Sequence, residues 1–120
     1  YVENKGKLKG VPIAMKAGAK AVAPAPEHVL DSSYQPLSRP IFIYVRKDAA
    51  DKNPAVRQFV EFYLTEGPAL AGQVGFVPLP DDAAQVALRH FRENRVGSVF
   101  GGVPEVGITI QELLEREAKL

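Results

Sequence analysis

Ile41-Phe42-Ile43-Tyr44-Val45 places five β-branched or aromatic residues in a row. Such a run predicts a strand. Because no polar residue interrupts it, both faces are expected to be buried, as in the centre of a helix-covered sheet. A central strand needs a neighbour on each edge, so the rest of the sequence is read for partners. On the N-terminal side, Pro36 and Pro40 forbid regular structure through Tyr34–Pro40. Residues 21–26 are rich in Ala and Pro and should be extended, since a residue before proline is driven from the helical region. Pro26–Asp31 fits one short helical turn. Further back, Val11, Ile13 and Met15 alternate within Leu8–Met15 as in a half-buried strand. Tyr1–Lys5 followed by Gly6 reads as the last turn of a helix with a glycine cap, so a chain opening there is expected to have lost what preceded it.

Beyond Val45 the period becomes helical. Asn53 as N-cap and Pro54 at the first position start a helix, and Val56, Phe59, Val60, Tyr63 and Leu64 are expected on one face. Glu66-Gly67-Pro68 should stop it and begin a second helix ending at Gly75. Phe76–Pro80 is expected to be extended. Asp81 or Asp82 should cap a third helix whose Val86, Leu88 and Phe91 are apolar. Gly97–Gly107 is glycine-rich and irregular, and Thr109 with Glu112 has capping-box spacing for a last helix, Ile110 to about Lys119. The predicted class is α/β: a few strands plus a cluster of about four helices. Two or three strands cannot close a sheet alone, so the pattern suggests part of a larger unit.

Composition bounds the chemistry. The 120 residues hold 15 Lys+Arg against 14 Asp+Glu, no cysteine and no tryptophan. A net charge of +1 provides no field for nucleic acid or an anionic membrane. Without cysteine there are no disulfides, thiolate metal sites or cysteine nucleophile. His28 and His90 lack a second histidine or carboxylate at ligand spacing, and a surface or capping role is expected for both. Asp81-Asp82 sits at a helix start, where paired acids complement the helix dipole rather than act as a general acid and base. Ser32-Ser33 and Ser38-Arg39 carry anion-holding groups but no base for a nucleophilic serine; turns and an ion pair are the simpler reading. Gly97-Ser98-Val99-Phe100-Gly101-Gly102 lacks the Lys-Ser/Thr ending of a P-loop. No catalytic, metal or cofactor constellation emerges, and no enzyme is expected.

Tyr34–Val45, Tyr-Gln-Pro-Leu-Ser-Arg-Pro-Ile-Phe-Ile-Tyr-Val, resembles a segment of the phosphate-binding proteins of bacterial phosphate ABC transporters, the PstS type. Tyr1–Lys9, Val22–Glu27, Val56–Leu64, Val74–Pro80 and the tail Ser98–Gly102 with Val106–Ile110 resemble further segments in the same order. The resemblance implies the C-terminal portion of a type II periplasmic-binding-protein fold. Residues 1–33 would end the second lobe, 34–46 would be the hinge-return strand, and 47–120 would be first-lobe helices with a C-terminal extension. It implies phosphate as ligand of the complete protein only, an ABC transporter permease as partner, and a periplasmic or extracellular, envelope-associated location. The family's ligand motifs, above all an Arg-Ser-Gly-Ser-Gly-Thr loop, do not occur in residues 1–120. No ligand-binding residue is therefore carried over. Open strand edges would favour self-association or association with the missing N-terminal part. A stand-alone interaction module pairing through those edges is the alternative.

Overall fold

The computed structural model describes residues 2–100, 102–103, 105 and 107–119. A single 3-10 turn, Val2–Asn4, precedes five helices: α1 Pro26–Leu30, α2 Lys47–Lys52, α3 Pro54–Gln73, α4 Asp81–Arg92 and α5 Ile110–Glu117. The expected α/β class is corrected here, because the described residues form helices and no strand. One isolated antiparallel bridge, Ile13 with Val22, is the whole of the β pairing among them. The two residues exchange N–H···O bonds of 2.9 and 2.7 Å. Ile41–Val45 is not helical, but no backbone N–H of that run reaches a described backbone acceptor. A strand exists only by pairing, so propensity without a neighbour leaves an exposed apolar ribbon. Tyr44 is 84% exposed.

The helix signals fared better. Asn53 Oδ1 accepts from Ala55 N–H at 3.0 Å, and Pro54 opens α3 as expected. Thr109 and Glu112 form the complete capping box of α5. Helix α3 ends in paired bonds, Phe76 N–H to Ala71 O and Gly75 N–H to Gly72 O, with Gly75 at φ +85°. That geometry is the Schellman motif, which favours glycine because the left-handed conformation crowds a Cβ. Asn94 closes α4 in the same way at φ +56°.

Three helical expectations are corrected. Pro68 does not divide α3, which runs through it for 20 residues. The residue before it is Gly67, whose missing Cβ removes part of the clash that proline imposes on its predecessor. Helix α4 has no side-chain cap; Pro80 precedes it, and Asp81 and Asp82 occupy its first turn. The third concerns which side of α3 is covered. Val60 is buried and Val56 and Leu64 are partly covered, whereas Phe59 and Tyr63, expected beside them, are exposed at 61% and 37%.

Helix α3 packs on α4, α2 on α3, and α5 on α4. Ala83, Ala84 and Leu88 bury the inner side of α4, and Leu113 buries that of α5. Arg57 joins three segments: its guanidinium lies 5.3 Å from the Phe91 ring centroid, donates to Asn94 Oδ1 at 3.2 Å and stands 4.0 Å from Asp51. The chain exposes 8907 Å², against roughly 6300 Å² for a folded monomer of this mass. Its radius of gyration is 16.7 Å, against about 14 Å for a compact domain of this length.

The two sides of α3 should respond differently to truncation. Val60→Ala is expected to lower stability by about 2 kcal/mol through lost burial and a residual cavity. Phe59→Ser should stay within about 0.5 kcal/mol of the parent chain. Urea unfolding of both variants, followed by circular dichroism, checks the contrast.

Candidate functional site

The hydroxyls singled out by sequence are engaged internally. Ser38 Oγ donates to Tyr34 O at 2.7 Å and accepts from Gln35 Nε2 at 3.0 Å. Ser33 N–H donates to Asp31 Oδ1 at 2.8 Å, and the Ser33 hydroxyl together with this N–H holds the Asp31 carboxyl below its ordinary value. Ser98 Oγ accepts from Phe100 N–H at 3.3 Å. Arg39 is exposed beside Ser38 on the rim of a groove of about 470 Å³, with Phe42, Tyr44, Phe100 and Glu105 among its other walls. Phe42 and Phe100 meet edge to face at 5.2 Å across it. A second groove, about 460 Å³, is lined by Leu30, Pro68, Ala69, Pro78 and Leu79, with Asp81 its charged member.

An oxyanion site needs convergent N–H groups at a helix start, hydroxyls and a guanidinium. Each longer helix here has its N-terminus occupied or negatively charged. The Asn53 side chain fills that of α3, Asp81 and Asp82 stand in the first turn of α4, and the Thr109–Glu112 box fills that of α5. Carboxylates there favour the helix and repel a second anion. Among the described residues no three His, Cys, Asp or Glu side chains gather as metal ligands. No helix among them is long and apolar enough to cross a membrane.

The histidines divide. His28 lies partly covered in α1, with Nδ1 2.8 Å from Ala23 O. His90 was expected at the surface but is buried on α4, with Nδ1 3.8 Å from Glu117 Oε2 of α5. Its Nε2 has no partner among the described residues. The helical spacing explains it: His90 lies seven residues after buried Ala83 and three after partly covered Ala87, on the side of α4 where Glu117 of α5 stands. Two other clusters carry no local sequence signal. Arg57, Phe91 and Asn94 are brought together from 37 residues apart. Arg116 grips Glu105 across 11 residues through two bonds of 2.5 and 2.9 Å.

No family model matches the chain, and no solved structure gives a significant match. Curated relatives do match. Protein SphX of Synechococcus elongatus is 49% identical over 117 residues, covering 98% of this chain and 34% of that protein. Protein SphX of a Synechocystis strain is 46% identical over 88% of this chain and 32% of its own length. The phosphate-binding protein PstS of Staphylococcus aureus is 41% identical over 81 residues, 68% of this chain and 24% of that protein. The resemblance to PstS-type phosphate-binding proteins is thus borne out by homology. The chain spans about a third of the length of the SphX relatives.

The start of α5 should be acid-sensitive. The Arg116 guanidinium holds Glu105 below its ordinary value of 4.5, and the Thr109 N–H and hydroxyl do the same for Glu112. Carboxyls depressed by folding stabilise the folded form above their unfolded value and lose that contribution as pH falls through the folded one. Helicity of α5 should therefore hold from about pH 8 to about pH 5 and fall below about pH 4.5. A Glu105→Gln, Glu112→Gln variant should show a flatter profile by circular dichroism.

Proposed function

We propose that this chain is a segment, the C-terminal one, of a PstS-type phosphate-binding protein that captures inorganic phosphate for an ABC importer. Identity of 49% across 98% of the chain, covering only 34% of the relative, is the observation that carries this reading. The phosphate ligands belong to the remainder of the protein. In support, the N-termini of α3 and α5 are filled by the chain's own side chains, and that of α4 carries Asp81 and Asp82. The segment supplies scaffold: residues 1–33 go with the second lobe, 34–46 cross between lobes, and 47–120 build the first lobe and its extension. No catalysis is assigned to it.

In the complete protein, trapped phosphate would be delivered to the transporter permease from the periplasmic or extracellular side of the membrane. The area left exposed supports association with the remainder of the polypeptide. The exposure of Ile41 and Tyr44, at 69% and 84%, also favours a second reading, an independent module that associates through this ribbon.

Calorimetric titration with inorganic phosphate tests the assignment. The 120-residue chain should give no saturable heat up to about 1 mM phosphate, while the complete polypeptide should bind it at micromolar concentration or tighter. Micromolar binding by the 120 residues alone would overturn the placement of the ligands. A complete polypeptide that ignores phosphate would overturn the function itself. A stable oligomer of the 120-residue chain in sedimentation would favour the interaction module.

A further inference from the structure

Helix α3 is apolar on two sides, and α4 covers one of them. Phe59, Tyr63, Leu70 and Val74 recur at helical spacing along the other, with Phe62 on its flank and Phe76 just past the cap. They are exposed at 61%, 37%, 45%, 71%, 53% and 57% in that order. Phe59 to Val74 spans ~22 Å of helix. Their exposed area is on the order of 500 Å², near the upper end of what a monomer leaves to water. The apolar side of an amphipathic helix is ordinarily packed away from water.

We propose that this outer face of α3 is an intramolecular docking surface, covered in the complete protein by the part of the polypeptide that lies outside these 120 residues. The inference rests on the functional reading above. The two thirds of relative length that the chain does not span supply the occupant. A second copy fits poorly. Glu66 lies near the middle of the stripe, so two antiparallel α3 helices meeting on it would set Glu66 against its own copy. Two carboxylates pressed together inside an apolar contact lose hydration without gaining a partner. The covering surface is accordingly apolar, with a basic or hydrogen-bond-donating group opposite Glu66.

The absence of cysteine makes a clean test available. Phe62→Cys and Val74→Cys report on the face, and Arg89→Cys, on the exposed side of α4, serves as reference. Thiol reaction with Ellman's reagent is compared between the 120-residue chain and the complete polypeptide. Reaction at positions 62 and 74 should slow about a hundredfold in the complete polypeptide, with position 89 changing less than about threefold. Equal reactivity at 62 and 74 in a complete polypeptide that still binds phosphate would overturn the docking surface alone. Protection without phosphate binding would support the surface and sink the phosphate reading. Protection already present in the 120-residue chain, with a doubled solution mass, would make a second copy the occupant and overturn the proposal. Should a cysteine variant lose its helical circular dichroism, hydroxyl-radical footprinting of Phe59 and Phe62 in the unsubstituted protein decides in the same sense.

Discussion

The packing of α3 against α4 is the contact on which the other elements hang. Val60 of α3 and Ala83, Ala84 and Leu88 of α4 are all buried as the two helices pack together. Alanine in place of larger residues lets two helix backbones approach closely, so a small number of side chains can make a dense contact. Polar groups then fix its register. Arg57 of α3 stacks on Phe91 and donates to Asn94 at the end of α4, and Arg92 of α4 stands 3.5 Å from Glu61 of α3. Helix α2 reaches the seam through Asp51 beside Arg57, and α5 reaches it through Leu113 and the Glu117–His90 contact. Removing α4 would take away the helix on which α5 chiefly packs.

That dependence also shapes what the chain can do chemically. Its polar side chains serve local structure: caps at Asn53 and Thr109, turns at Asp31 and Ser98, and ion pairs at Glu105 and Lys47, the latter with Asp51. A ligand site needs donors whose bonding is left open by the fold. Here the donors at the helix starts are already bonded or face carboxylates of the same helix. The match to the phosphate-binding protein PstS and the lack of an oxyanion cradle among the described residues are compatible, because two thirds of the SphX relatives' length lies beyond the match.

What the sequence disclosed is what local chemistry decides. Asn53-Pro54, Thr109 with Glu112, and Gly75 were legible because a cap is made within four residues. The placement of His90 and the pairing of Arg116 with Glu105 were not, since each depends on a segment distant in sequence. Ile41–Val45 shows the same limit from the other side. Its propensity for extended backbone was legible and its pairing was not, because pairing is a property of two segments. The five apolar positions of α3 were misassigned for a related reason. Steps of three and one from Val56 to Leu64 span an arc wide enough to take in both sides of the helix, so periodicity could not say which part α4 would cover. Gly67 misled as well, since its neighbour Pro68 signals a break while its own missing Cβ lets the helix continue.

The apolar content and the buried content of the chain do not match. The sequence is 46% hydrophobic, as in an ordinary globular domain. Among the described residues, however, three of the seven buried hydrophobic side chains are alanines, and no large side chain is fully buried. Folding stability is a small difference between large terms, and burial is the main favourable one. A chain that leaves Phe59, Phe62, Tyr44 and Phe76 largely in water forgoes much of that term while ordering the same backbone. Much of the shortfall lies on the ribbon before α2 and on one side of α3, with more at Leu8, Val11, Met15, Leu37, Val96 and Val103, while the α3–α4 seam is closed. Exposed apolar area on this scale, beside a well-formed seam, favours a piece of a larger polypeptide over a module complete in itself.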